Sequence, residues 1–357
     1  MKVRIAIVTS LSVVCAGTVH AQSRIYVDPA YGGPEDGSAA QPFNTIGEAI
    51  DAAQTGDTID LAAGTYSPGA DFALPNAVTI EGKGRDLTTV NAGFEVRAPD
   101  AGTALRFEAF AFTTAAVAMG LTTPAPIFVQ GCRFDFLEIR EALTYAVTLD
   151  DCDVAGDVRF ATGDGTVVMT SIARSSIGGS VLYPHGEATG SHTVEGSSVG
   201  GDIAYQHGAS DLTGVVRNCQ VDGSIVIQSG RGATNVIATN TVGGNIEDNS
   251  GGNHVTIADN HLPHGDILDR SGRYFDDDTG GEDEIIERNR LDDGIISPRG
   301  LGATLRDNVI VYSGTDRSGI DAASGAFLNL IGNTVTVPYQ VPPDVVWYDI
   351  EWVCAIS

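Results

Sequence analysis

Two stretches, IGGSVLYPHG at residues 177–186 and VGGDIAYQHG at residues 199–208, decide the fold, because the second repeats the first after 22 positions. Each runs from an aliphatic residue through paired glycines to a second aliphatic residue, then Tyr, His and a closing glycine. A single duplication would make Tyr183, His185, Tyr205 and His207 a motif. A repeat that continues along the chain makes them one rung of an architecture.

The repeat continues. One small or polar residue anchors each unit at Cys132, Cys152, Ser175, Ser197, Cys219, Asn240, Asn260, Asn289, Asn308 and Asn333, at intervals of 20, 23, 22, 22, 21, 20, 29, 19 and 25 residues. Three residues before every anchor stands an aliphatic side chain, from Val129 and Leu149 through to Leu330. Two residues after every anchor stands another apolar one, from Phe134 and Val154 through to Val335. A third column reads Val158, Val181, Ile203, Ile225, Ile246, Ile267, Ile295 and Ile320, each followed five residues later by glycine.

Short β-branched runs punctuated by glycine are strands and turns. A unit of about 21 residues with three such strands cannot bury its own apolar face, so it must stack on copies of itself. The simplest solid of this kind is an all-β, single-stranded parallel β-helix of roughly a dozen coils, stacked at about 4.8 Å. Its apolar columns fill the interior, and the Cys/Ser/Asn ladder occupies a bend where amides and hydroxyls satisfy backbone groups.

Both ends of such a stack need covers. At the front, TIGE at 45–48 has the form of a capping box, and Ile46, Ala49, Ile50 and Ala53 fall at helical spacing, which predicts a short capping helix. At the back, PYQVPP from 338 breaks the repeat and VVWYDIEWV from 345 holds both tryptophans. The expected organisation is a signal peptide over 1–21, cap and first coils over 22–103, repeats over 104–337 and a carboxy-terminal cap over 338–357. The signal is read from Lys2 and Arg4, the apolar run Ile5–Val14 and the small-residue site before position 22, and it predicts a secreted or periplasmic protein. No later apolar run approaches the ~20 residues of a membrane helix.

The chain has 20 basic and 46 acidic residues, a formal charge of −26. Losing residues 1–21 removes two basic residues, which gives −28 and leaves Lys83 as the only lysine. Such a surface repels nucleic acid and polyuronates.

Residues 25–66, IYVDPAYGGPEDGSAAQPFNTIGEAIDAAQTGDTIDLAAGTY, and VTIEGKG at 78–84 resemble the opening of secreted right-handed β-helix proteins of the pectate-lyase-like superfamily. The resemblance implies a polysaccharide or cell-surface glycan as partner, on a scaffold shared by lyases, hydrolases, epimerases and non-catalytic surface proteins. Fold alone does not choose among these. The AsnThrAsp and ArgIleLys motifs of polygalacturonase-type hydrolases are absent, which disfavours hydrolysis by paired carboxylates. A lysine-based lyase would depend on Lys83, and arginine candidates are Arg159, Arg217 and Arg299.

Two readings therefore stand. The first is an exported β-helix that binds a glycan without a catalytic motif. The second is a polysaccharide lyase or uronate epimerase in which Tyr183, His185, Tyr205 and His207 exchange protons across a sugar ring. The tyrosine column, Phe160, Tyr183, Tyr205, Ile227, Asp248 and Asp269, suggests a position near an accessible bend, although its first four members equally form an interior stack. The long interval between Asn260 and Asn289 predicts a flanking loop with Asp276, Asp278 and Glu282 as candidate Ca²⁺ ligands. Cys132 and Cys152, one coil apart, are candidates for a disulfide. Cys219, three coils beyond Cys152, lies too far away to join them.

Overall fold

The computed structural model describes residues 22–336, apart from residues 70 and 143 and the segments 98–103, 113–116, 122–125, 161–166, 184–188, 207–211, 229–233, 250–253, 270–283, 299–302, 312–318 and 322–327. The expected signal segment, the expected carboxy-terminal cap and the closing glycines of the repeat, Gly163 through Gly325, lie outside the described residues.

Every strand pairing is parallel and joins one coil to the next. Three sheets run the length of the molecule, with 14, 13 and 11 strands, here called the long, middle and return sheets. Eleven successive turns, from Thr58 to Pro298, give one strand to each sheet in that order. The architecture is the expected parallel β-solenoid, with eleven complete turns where the sequence predicts roughly a dozen.

The apolar columns become ladders. Ile172, Val194, Val216, Ile237, Ile257 and Ile286 are register partners on the inner face of the long sheet, each 2 % exposed or less. Burying each such side chain contributes roughly 1.5–3 kcal/mol, and none of it is available to an isolated coil. The third column is corrected at one place. Ile267 pairs with Ile296, which bridges to Ile320, so the ladder passes through Ile296 and not Ile295.

The bend between the long and middle sheets follows from a second pattern. The residue before each anchor has positive φ: Asp151, Arg174, Asn218, Thr239, Asp259, Arg288 and Asp307 lie between 49° and 61°, and Gly131, Gly196 and Gly332 take the same place elsewhere. A left-handed residue costs a non-glycine side chain of order 1 kcal/mol, and the anchors offset it. Asn240, Asn260, Asn289 and Asn308 each accept the backbone N–H of the preceding anchor at 2.9–3.0 Å. Each also donates its amide to a buried carbonyl of the preceding coil, as Asn289 does to Ile257 O at 2.8 Å. Ser175 and Ser197 do the same accepting work with hydroxyls.

At the next bend, between the middle and return sheets, coils approach so closely that side chains do not fit. A Cβ on Gly265 would stand 1.8 Å from Gly244 O, which is why glycine recurs there. The front of the stack is closed as the capping box predicts. The helix Ile46–Ala52 buries Ile46, Ala49 and Ile50, and its N-cap Thr45 accepts the Glu48 N–H while its hydroxyl bonds the Glu48 carboxylate at 2.7 Å.

Candidate functional site

The tyrosine column faces inward. Tyr183 pairs with Tyr205 and Tyr205 with Ile227 on the return sheet, and Asp248 pairs with Asp269 further on. Opposite them, the inner face of the long sheet presents Thr170, His192, Gly214 and Asn235 as successive register partners. Glu284 opens a later strand of that face, one residue before Ile285, which pairs with Thr256. Two polar clusters result, both inside the solenoid.

In the first, Thr170 Oγ1 bonds the Tyr183 hydroxyl at 2.9 Å and His192 Nδ1 at 2.8 Å. Phe160, Tyr183 and Tyr205 stack at 4.9 and 4.8 Å between ring centres, and His192 lies 3.9 Å from the Tyr183 ring. Tyr183 is fully buried and Tyr205 is 2 % exposed. Burial pushes the Tyr205 phenol well above its usual pKa, away from the range in which a phenol exchanges protons near neutrality. The expected accessible patch is therefore corrected for its tyrosines: their rings complete an interior stack that no sugar reaches. His185 and His207 lie outside the described residues. His192, which has no evident role in the sequence, is the histidine that these tyrosines contact among the described residues.

The second cluster is Asp248, Asp269 and Glu284, each 2 % exposed or less, with one carboxylate oxygen from each within 4.8 Å of the others. Glu284 and Asp269 share a hydrogen bond, and burial, followed by the neighbouring Asp269 and Asp248, pushes the Glu284 pKa up to about 11. Glu284 is thus a neutral acid at pH 7 that donates to Asp269. The oxygen spacing is within the reach of a cation bound at roughly 2.4 Å. However, Val255, Ile257 and Ile286 close the gap around the three carboxyls until no water fits. As it stands, the cluster is held together by the protonated Glu284 carboxyl. Asp248 and Asp269 are visible in the sequence column, and Glu284 could have been found from its place two residues before the inward Ile286.

The remaining candidates separate. Lys83 forms an ion pair with Asp60, which also binds Arg24 at 2.7 Å, so the lysine is tied into the opening coils. Arg217 is paired on the surface with Glu195 at 2.8 Å, and Arg159 is exposed. Arg299 and the Ca²⁺ candidates Asp276, Asp278 and Glu282 lie outside the described residues. The disulfide expectation is corrected, because Cys132 and Cys152 are free, buried thiols. Each turns its sulfur toward backbone carbonyls, Gln130 O and Asp150 O at 3.4 Å. The matched orientation repeats the sulfurs at the coil spacing of about 4.8 Å, well beyond the ~2.05 Å of a bond.

An accessible surface lies on the outer face of the long sheet. Thr148, Ser171, Thr193, Val215, Val236 and Thr256 form one outward row, and Met169, Ser191, Thr213, Thr234 and His254 a second beside it. No carboxylate stands in either row, in a chain with 46 acidic residues. Acids resume at the strip's margin, where Asp150 pairs with Arg174 and Glu195 with Arg217. Beyond Thr148, Arg106 stacks over the Phe128 ring at 4.4 Å.

No protein-family model matches the chain, and no curated protein does. Among solved structures it is similar to a mannuronic acid specific polysaccharide family 6 lyase from human gut microbiota, at 12 % identity and a TM-score of 0.46 over 89 % of this chain and 92 % of that one. The catalytic unit of an alpha-1,3-glucanase from Streptomyces thermodiastaticus gives 14 % identity and 0.41 over 88 % and 70 %. The A-module of a mannuronan C-5 epimerase from Azotobacter vinelandii gives 16 % and 0.36 over 88 % and 98 %. The class of this protein is set by its own strand register: it is a parallel β-solenoid with Tyr183, Tyr205 and the Asp248/Asp269/Glu284 cluster sealed inside.

Proposed function

We propose that the protein is an exported β-solenoid that binds an extended, uncharged glycan along the outer face of its long sheet and performs no tyrosine/histidine chemistry. The observation that carries this reading is the carboxylate-free double row from Thr148 to Thr256 on a strongly acidic molecule. Hydroxyls repeated once per coil offer donors and acceptors at a regular pitch of about 4.8 Å, and Met169 and the Val215/Val236 pair offer apolar surface to sugar ring faces. A neutral polymer avoids the repulsion that the net charge imposes on a polyuronate.

The test is affinity electrophoresis of the full mature chain through gels containing neutral glucans, mannans or polyuronates. Retardation by at least one neutral polymer, lost in Thr193→Glu/Thr213→Glu, supports the proposal. Free mobility in every neutral gel refutes it, and so does release of unsaturated uronate products from a polyuronate.

A further inference from the structure

The two ends of the solenoid differ. The front is covered by the helix Ile46–Ala52, and beneath it Ile59 and Leu61 are fully buried. At the back, the last described strands are Asn329–Ile331 and Thr334–Thr336, and Leu330 and Val335, which continue the two apolar ladders, are only partly buried. Their register partners one coil earlier, Leu305 and Ile310, are fully buried. Ile331 is 41 % exposed. No described strand pairs with the far edges of these two strands. Open strand edges beside exposed core are the arrangement that recruits another strand.

We propose that this end is the docking surface for the chain's own residues 346–352. The order of the chain supports that occupant. Thr336 ends at the open face, and VPYQVPPDV at 337–345 follows directly. Nine residues extend to about 30 Å, enough to recross a core about 10 Å deep. Pro338, Pro342 and Pro343 keep that stretch out of a helix. The residues that follow alternate: Val346, Tyr348, Ile350 and Trp352 share one face at strand period, and Asp349 and Glu351 lie on the other. One face meets Leu330 and Val335, and its polar opposite meets water. The segment thereby blocks end-to-end stacking of rods.

Both tryptophans of the protein, Trp347 and Trp352, lie in this segment, so intrinsic fluorescence reads it alone. The experiment is acrylamide quenching of the full mature chain and of its single-tryptophan variants. Trp347→Phe, which leaves Trp352, is expected to show blue-shifted emission and several-fold weaker quenching than in denaturant. Trp352→Phe, which leaves the outward Trp347, is expected to quench more readily. Leu330→Asp is expected to red-shift Trp352 emission while far-UV β-structure persists. If native Trp352 quenches as freely as in denaturant, the proposal is refuted. It is also refuted if protection appears only at high protein concentration, because the occupant would then be a second copy.

Discussion

Replacing Glu284 with glutamine should change how stability depends on pH. In the folded chain, Glu284 keeps its proton until about pH 11, whereas in the unfolded chain it loses it near the ordinary value of 4.5. Between these limits the folded state holds one more proton than the unfolded state, so stability falls as pH rises. One such group contributes a slope of about −1.4 kcal/mol per pH unit. Over the three units from pH 5 to pH 8, that is a loss of about 4 kcal/mol. Glutamine is nearly isosteric, keeps a donor for Asp269 and has no proton to lose, so Glu284→Gln should lack this component. Urea unfolding of wild type and variant at pH 5, 6, 7 and 8 measures the difference. The wild type should fall progressively behind the variant as pH rises, with the two nearest at pH 5. Parallel profiles across this range would show that Glu284 is ionised in the folded protein, and the reading of Glu284 as a buried neutral acid would fail.

Three further outcomes follow from particular contacts. The Tyr205 hydroxyl is buried with no hydrogen-bond partner among the described residues, so Tyr205→Phe should leave stability unchanged or raise it by up to about 1 kcal/mol in thermal or urea unfolding. Asn289→Ala removes the acceptor of the buried Asn260 N–H and the donor to Ile257 O, and should cost about 3 kcal/mol by the same measurements. Burial raises the thiols of Cys132, Cys152 and Cys219, that of Cys152 to about 11. Maleimide should therefore label them only on unfolding, and a reductant should leave the melting temperature unchanged.

Much of the solenoid is legible in the sequence because stacking turns periodicity into contact. A residue three places before an anchor must meet its counterpart one repeat later, and Val194, Val216 and Ile237 do so. The capping helix is legible for a local reason: Thr45 and Glu48 satisfy each other within a single turn. The third column slips from Ile295 to Ile296 because it is aligned on the glycine five residues later, Gly300, whereas the strand register follows the anchors: Ile267 and Ile296 each stand seven residues after theirs, Asn260 and Asn289.

By itself, the sequence determined the repeat, the parallel stack, the inward aliphatic ladders and the anchor ladder, since each is a property of spacing. Tertiary structure alone decided which way the tyrosine column points and what stands opposite it. Tyr183 and His192 are nine residues apart in sequence, on different sheets of successive strands, and their rings meet across the interior. Asp248, Asp269 and Glu284 likewise come from two facing sheets. One column of letters cannot specify the other wall of the core, so a pair that resembles a catalytic motif in sequence becomes, on folding, part of the packing.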